Sequence, residues 1–390
     1  MPDDTRPRVV VIANRLGSFG GGERWVCEMA KRLNGKIQLD IINPVSEEDI
    51  VRIEEGKLTK LFHMGDTKIT KIKCLGIRHR LYGRIDLTVL FPSFRGLSTL
   101  NKAISKSDVV YELSFNPFIL FWSMLFARLN GKRFILGLHN PDFLVGQAEK
   151  KTGIFGRIMQ KILLLTVKEM HVQTRSQMEL LSNAGYKGKK HYIPHYLYFK
   201  INEDDALSYN SKFDVLLTGR LSIYQKGIDL LEDIVEKTLA KNNTVSFTII
   251  GSGEGSDISK SLERKHKSNV KYLGFVSDEE LKERYMKSSI FILTSRYETP
   301  GLSLLEAQSY GLPAIAFDVM GPRDIITKNI QGAKIKPFDT TQFAKKIIES
   351  KEKFGEKRNY RKRRKEIWSY ISSRYEESSF IKKFEKMIKE

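Results

Sequence analysis

The sequence predicts an α/β protein built from two doubly wound, Rossmann-like halves. Short apolar runs of strand length alternate with helical stretches along most of the chain, which is the pattern of a parallel sheet covered by helices. The alternation is interrupted once, over residues 192–205, where Pro194 and an acidic, polar stretch intervene, and then it starts again. A length of 390 residues suits two domains at roughly 150 residues each. The expected division is therefore 1–200 and 201–370, with 371–390 as a terminal helix.

In the first half, residues 8–14 read as a buried strand, because a short unbroken apolar run suits a strand covered on both faces. Residues 20–33 follow as a helix with a glycine-rich start. Strands are expected at 37–42, 108–113, 134–139 and 169–174, with an apolar helix at 118–129 and an amphipathic one at 154–166. In the second half the expected strands are 213–218, 245–251, 270–273, 290–294 and 314–317. Helices are expected at 227–240, 278–287 and 302–310; the acidic start of 278–287 suits the positive end of a helix dipole. The tail 341–390 reads as helical, basic and amphipathic. Seven of the nine residues 357–365 are basic, which reads as a solvated helix face.

Composition narrows the functional classes. The chain carries 66 Lys and Arg against 46 Asp and Glu, a formal net charge of +20, of which residues 1–200 hold +14. Such a half suits an anionic partner (a phosphate ligand, a lipid surface or a nucleic acid), although a lysine-rich background would produce the same balance. Hydrophobic residues make up 41% of the chain, which excludes global disorder. The only cysteines, Cys27 and Cys74, exclude a disulfide scaffold, a CxxC zinc site and a Cys-ligated cluster, and they suit a reducing compartment. No secretory pattern opens the chain, and its longest apolar stretch, 117–127, falls short of the roughly 20 residues of a membrane span. The expectation is a cytoplasmic protein, soluble or peripheral on the cytoplasmic face of a membrane.

Four loops carry candidate chemistry. Gly20, Gly21, Gly22, Glu23 and Arg24 follow the first strand and open a helix. Glycines let backbone N–H groups approach a phosphate, yet a plain tight turn has the same composition. Gly219 and Arg220, then Lys226 and Gly227, again lie between a strand and a helix; an Arg and a Lys converging from one loop can clamp a diphosphate. The Walker pattern is absent, which argues against a P-loop hydrolase. Gly251, Ser252, Gly253 and Glu254 stand at the next strand end, where open α/β sheets bind ligands. Finally, Glu298 and Glu306 stand eight positions apart, flanking Pro300 and Gly301. Glu306 lies within an apolar run, so its carboxylate needs a partner.

Taken in order, Gly219-Arg220, Lys226-Gly227, Gly251-Ser252-Gly253, Leu273-Gly274-Phe275-Val276 and Glu298-x7-Glu306 resemble family-four glycosyltransferases. Gly20–Arg24, His139-Asn140 and the tail from Trp368 to Tyr375 extend the resemblance over nearly the whole chain. It implies the GT-B arrangement: an acceptor-side domain, a nucleotide-sugar donor domain with a cleft between them, and a last helix that crosses back to the first domain and makes Trp368 a packing residue. It implies a retaining transfer from a nucleotide-diphosphate sugar, UDP- or GDP-linked, to a glycan or polyprenyl-linked acceptor, such as a hexosyl or mannosyl transfer in surface polysaccharide or glycoprotein glycan assembly. The stretch Gly20–Arg24 is also similar to mannosyltransferases that extend lipid-linked oligosaccharides.

Site roles follow from the matching positions. Arg220 and Lys226 would hold the diphosphate, Glu306 the ribose hydroxyls and Glu298 the donor sugar. The backbone near Gly251, Gly253, Phe275 and Val276 would line the base pocket, and Gly301 and Leu302 belong to the same donor site. From the first domain, Gly21 and Gly22 would reach the diphosphate and His139 would face the sugar; read alone, His139 is equally a satisfied core histidine. No D-x-D motif is evident, so no metal or other cofactor is expected. Three positions depart from the family pattern: the six-residue step from Arg220 to Lys226, Pro300 where an aromatic residue is frequent, and His195-Tyr196 after Pro194.

Three other readings stand beside this one. The same fold could serve a nucleotide-sugar epimerase or a phosphorylase-like enzyme. A basic nucleic-acid-binding protein is disfavoured, because no zinc finger, RNP-type aromatic motif or compact helix-turn-helix is evident. The basic stretch with Lys68, Lys71, Lys73, Arg78, Arg80, Tyr82 and Arg84 reads as a loop on the acceptor side that docks on an anionic membrane, or as solvated surface.

Overall fold

The structure is a computed structural model that describes residues 5–14, 16, 21–46, 64–81, 85–113, 116–139, 160–198, 201–208, 212–354 and 357–390. It divides into two units, Met1–Pro194 with Ser378–Glu390, and His195–Glu377.

The first unit is an eight-stranded sheet in the order β4-β3-β2-β1-β5-β6-β7-β8. Its strands are β1 (Arg8–Ile12), β2 (Gln38–Ser46), β3 (Lys68–Leu81), β4 (Ile85–Pro92), β5 (Val109–Glu112), β6 (Arg133–Gly137), β7 (Glu169–Val172) and β8 (Lys189–Tyr192). All pairs are parallel except β3 with β4, which run antiparallel from Cys74↔Pro92 to Leu81↔Ile85. Val9, Val10, Val11 and Ile12 are all buried, as a central parallel strand between two helix layers must be. Strand order reverses between β1 and β5, and ligands sit beyond strand C-termini at such a switch point.

Local chemistry explains the element boundaries. Asn116 caps the helix Pro117–Leu129 by accepting from Phe118 N and Ile119 N, and Pro117 occupies the first turn, where its missing N–H costs nothing. The strand expected over 169–174 ends at Val172, because Thr174 forms a capping box with Gln177 and starts the helix Arg175–Asn183. Of the helix expected over 154–166, residues 160–166 are helical and the rest lie outside the described residues. Of the two expectations for the basic stretch, a loop or solvated surface, the loop is corrected: residues 68–81 form the 14-residue strand β3. Its buried Ile72 and Cys74 alternate with Lys71 and Lys73, so the lysines are the solvent side of a strand. Tyr82 and Arg84 lie outside the described residues.

The second unit is a six-stranded, wholly parallel sheet in the order β11-β10-β9-β12-β13-β14. Its strands are β9 (Asp214–Thr218), β10 (Ser246–Ile250), β11 (Val270–Tyr272), β12 (Ile290–Leu293), β13 (Ala314–Phe317) and β14 (Gly332–Ile335). Alternate residues of β9 enter opposite cores: Val215 and Leu217 pack with Leu231, Phe247 and Phe343, whereas Leu216 packs with Phe291, Leu304 and Ile367.

The tail forms three helices, Thr340–Glu352, Lys357–Arg374 and Glu377–Lys389. The middle one belongs to the second unit and is anchored by Arg364, which is fully buried. The Arg364 guanidinium donates to Ala206 O at 2.6 Å, Tyr310 O at 2.8 Å and Ser208 O at 2.9 Å. Trp368, expected to pack as the chain crosses back, donates from Nε1 to Ile201 O at 2.9 Å within the second unit. The segment assigned to the first unit begins later, at Ser378. There Phe380 and Phe384 meet the edge of Trp25, and Arg133 Nη1 donates to Ile388 O at 3.1 Å.

Candidate active site

The residues expected on the donor side gather, within the second unit, where β9, β10 and β12 end. The loops after β9 and β10 touch backbone to backbone. A Cβ on Gly251 (φ 131°) would stand 1.8 Å from Gly219 O, and one on Gly253 (φ 151°) 2.6 Å from Leu221 O. Hydrogen bonds from Gly219 N to Ile250 O, Leu221 N to Ser252 O and Gly255 N to Leu221 O lock this approach at 3.1, 2.9 and 2.7 Å. These glycines are needed for loop packing, whatever ligand the loops serve.

Lys226 ends the one-turn helix Ile223–Lys226. Gly227 follows in the left-handed region, and a Cβ there would strike Thr294 O at 2.2 Å. Thr294 Oγ1 donates to Lys226 O at 2.8 Å, so the loop is docked on the end of β12. Arg296 reinforces it from below, with a bidentate pair to Asp229 at 2.9 and 2.6 Å and bonds to Ile223 O and Tyr224 O at 3.1 Å. The hydrogen bond that Arg296 donates to the Asp229 carboxylate holds its guanidinium above the ordinary pKa.

This places Lys226 Nζ 2.5 Å from Glu298 Oε1, which also accepts from Ser295 Oγ at 2.6 Å. Glu298 is only 5% exposed. Its stem is pinned by Gly321, where a Cβ would stand 2.7 Å from Glu298 Cβ. The next residues turn through Gly301 (φ 98°) into the helix Leu302–Ser309. Ser303 Oγ, in that helix's first turn, is buried without a hydrogen-bond partner. Both it and Lys226 Nζ lie 4.0 Å from the position a Gly219 Cβ would take. An ammonium, a helix N-terminus and an orphaned hydroxyl thus converge on a backbone cradle with no side chain in it. That donor set fits a phosphate group.

Glu306, one helical turn further on, has a partner in Tyr285, whose hydroxyl donates to Oε2 at 3.2 Å and lies 2.9 Å from Thr218 Oγ1. Complete burial, with the nearby Glu306 charge adding to it, pushes the Tyr285 phenol well above its ordinary pKa of 10. It is therefore a permanent donor. Glu306 and Leu302 border a small cavity with Tyr196, Tyr198 and Leu305.

Not every expected residue joins this group. Arg220 is exposed and donates from Nη2 to Gln225 Oε1 at 2.7 Å. Phe275 is 87% exposed, whereas Val276 packs on the Leu216 side of the core. Ser295, Ser303, Tyr285 and Thr218 were not singled out in the sequence. Tyr285 lies on the helix Asp278–Lys287, before β12 in the chain, and no local spacing points from it to Glu306.

In the first unit, His139 follows β6 and lies against Trp25, with ring centroids 4.3 Å apart. It is held by Gln173 Nε2 at 3.2 Å and more loosely by Tyr111 OH at 3.4 Å. Tyr111 OH in turn meets His171 Nδ1 at 2.5 Å, and His171 Nε2 donates to Ile193 O at 3.0 Å. Burial lowers the His171 pKa to about 4, so its ring is neutral. His139 is thus half-buried at the rim of a buried polar network. Gly21 and Gly22 begin the helix Gly21–Leu33, and a Cβ on Gly22 would meet open space; Gly20 and Asn140 lie outside the described residues. Among the described residues, no three His, Cys, Asp or Glu side chains gather as a metal site would require.

Comparison with known proteins supplies the family context. Residues 199–367 match the family model of glycosyl transferases group 1. A protein of the Klebsiella pneumoniae cps region is 31% identical over 150 residues, 38% of each chain. The poly(ribitol-phosphate) alpha-N-acetylglucosaminyltransferase of Staphylococcus aureus is 34% identical over 138 residues, covering 34% of this chain and 28% of that one. These alignments span well under half the length of the relatives. Among solved structures, Anabaena HepE in complex with UDP and glucose aligns over 98% of this chain and 100% of its own, with TM-score 0.73 and 15% identity. TarM aligns over 100% of both chains with TM-score 0.73 and 15% identity. The chain has the α/β GT-B fold with two Rossmann-like sheets, and its second unit carries the match that supports a place among the group 1 glycosyl transferases.

Proposed function

We propose that this chain is a retaining glycosyltransferase that moves a sugar from a UDP-linked donor to a glycan or lipid-linked acceptor. The observation that carries the proposal is the Lys226–Glu298 contact beside the Gly219 cradle and the orphaned Ser303 hydroxyl, inside the segment that matches group 1 glycosyl transferases. UDP is favoured as the nucleotide because HepE was solved with UDP and glucose. A carbohydrate polymer or its lipid-linked precursor is favoured as acceptor, since the S. aureus relative glycosylates poly(ribitol-phosphate) by its name.

In this reading the bond from the sugar C1 to the β-phosphate oxygen breaks, and a bond from C1 to the acceptor oxygen forms on the same face. The acceptor proton passes to the departing phosphate. Lys226, the N-terminus at Leu302 and the Ser303 hydroxyl stabilise the charge that grows on that phosphate. Glu298, fixed by Lys226 and Ser295, receives the donor sugar's hydroxyls, and Glu306, fixed by Tyr285, receives those of the ribose. Arg220 reaches the diphosphate by leaving Gln225. The protein's work is then positioning and electrostatic stabilisation.

Thermal unfolding with UDP, GDP, ADP, dTDP and CMP in parallel tests the donor assignment. A ligand at 100 times its Kd adds about 2.7 kcal/mol, which reads as a rise of a few degrees. A rise with UDP alone, followed by labelled transfer from a UDP-sugar to a glycan or lipid extract, is the expected result. Neither a shift with any diphosphate nor transfer from any UDP-sugar would defeat the proposal.

A further inference from the structure

The helix Pro117–Leu129 presents an unusual outer face. Its inner face is accounted for, because Ile119, Leu120, Ser123 and Ala127 are buried against the sheet. A surface helix ordinarily turns charge outward, yet here the outward residues are apolar. Phe121 is 53% exposed, Leu129 71% and Phe118 39%, Trp122 beside them is half-buried with part of its ring on the core, and Arg128 is the one charged side chain of the helix. The aromatic surface is continuous: Phe118 lies 4.1 Å from Phe91 across the edge of β4, and Phe121 lies 5.4 Å from Trp122. The neighbouring helical residues 160–166 extend it. Leu163 packs with Leu120 in one core cluster, while Leu165, 77% exposed, looks outward together with Ile162.

Along the two segments that form this surface, 117–139 and 160–168, the charges are of one sign. No Asp or Glu occurs between Glu112 and Asp142 or between Glu149 and Glu169, whereas Arg128, Lys132, Lys161 and Lys168 lie within these stretches. An apolar face whose own segments carry cations and no acidic residue complements an anionic bilayer surface, where aromatic rings enter the interface and lysine or arginine heads meet the phosphates. It is a poor match to itself, because a second copy would oppose like charges. Crossing the bilayer is not at issue: among the described residues no helix is long and apolar enough to span it, and 13 residues reach about 20 Å against a core of about 30 Å.

We infer that the first unit docks in-plane on an anionic lipid surface through Phe118, Phe121, Trp122, Leu129 and Leu165, with Arg128 and Lys161 as its electrostatic fringe. The surface belongs to the first unit and uses none of the residues proposed for the donor site, so the inference stands or falls independently of the transfer reaction. The assay is flotation of the full chain with phosphatidylcholine vesicles, with and without phosphatidylglycerol. Binding is expected only with phosphatidylglycerol. It should weaken about tenfold or more both in Phe121→Ser/Leu165→Ser and in Arg128→Glu/Lys161→Glu. Both pairs are exposed, and the unfolding midpoint checks that they fold. An independent reading comes from brominated phosphatidylglycerol, which should quench the wild-type tryptophan fluorescence and leave Trp122→Phe unquenched. Equal binding to both vesicle types, wild-type binding in both double variants, quenching that persists in Trp122→Phe, or a dimer lost in Phe121→Ser/Leu165→Ser would each overturn the inference.

Discussion

Replacing Lys226 with methionine separates what the Lys226–Glu298 contact does for the fold from what it does for chemistry. The ammonium lies 2.5 Å from the carboxylate, and the two side chains are 16% and 6% exposed. A solvated surface pair is worth about 0–1 kcal/mol, but this pair is largely out of water. Removing one partner of a buried pair typically costs about 3–5 kcal/mol, because the other charge is stranded. Ser295 still donates to Glu298 at 2.6 Å, so the low end, about 3 kcal/mol, is expected for Lys226→Met. Adding Glu298→Gln removes the stranded charge and should restore about 2 kcal/mol. For a unit of this size the single variant should melt roughly 6–12 °C lower. Unfolding can be followed through Trp368, the sole tryptophan of the second unit. Transfer should fall about 100- to 1000-fold in Lys226→Met and stay equally low in the double variant, although its stability returns. Additive stability losses, or near-normal transfer by Lys226→Met, would refute the reasoning.

Three other perturbations probe the frame around that contact. Arg364→Met should destabilise by about 3 kcal/mol in urea unfolding, since it orphans the carbonyls of Ala206, Ser208 and Tyr310; Arg364→Lys should recover little, because an ammonium lacks the fork that reaches all three. A loss under about 1 kcal/mol would mean the guanidinium's burial cost cancels its bonds. Gly251→Ala should abolish the UDP-induced thermal shift, as its Cβ would meet Gly219 O at 1.8 Å; an unchanged shift would show that the two loops can part. His171, lowered to about 4 by burial, binds its proton in the unfolded chain first, at about 6.5. Its contribution is therefore complete above pH 6.5 and declines as pH falls toward 4, by up to about 3 kcal/mol. Urea midpoints of wild type and His171→Asn, compared at pH 7 and pH 5, should converge on acidification; parallel curves would count against it.

The fold was legible because its central strands are unbroken apolar runs. β1, β9 and β12 are buried on both faces, so their sequences carry the signal without help from neighbours. β3, β4, β8, β14 and the helix Phe94–Ser105 escaped notice for the opposite reason. β3 alternates lysines with core residues, and β8, Lys189–Tyr192, is mostly polar. The terminal helices were read as one basic tail, because the break between Arg374 and Glu377 that divides them between units leaves no turn signature.

The loops that end β9, β10 and β12 were found by composition, since glycines and charges after apolar runs are local features. Their reasons were not. That Gly219, Gly251 and Gly253 are glycines because two backbones touch, and that Glu298 meets Lys226 while Arg220 turns to Gln225, depends on which strands become neighbours. Periodicity and turn chemistry act over a few residues, and they sufficed for the α/β class, the two halves and the candidate loops. Which carboxylate is desolvated, which hydroxyl is orphaned and which tyrosine supports Glu306 are contacts across roughly 20 to 70 residues of chain. No local pattern encodes such contacts; they arise when the parallel sheet brings the ends of β9, β10 and β12 to one edge.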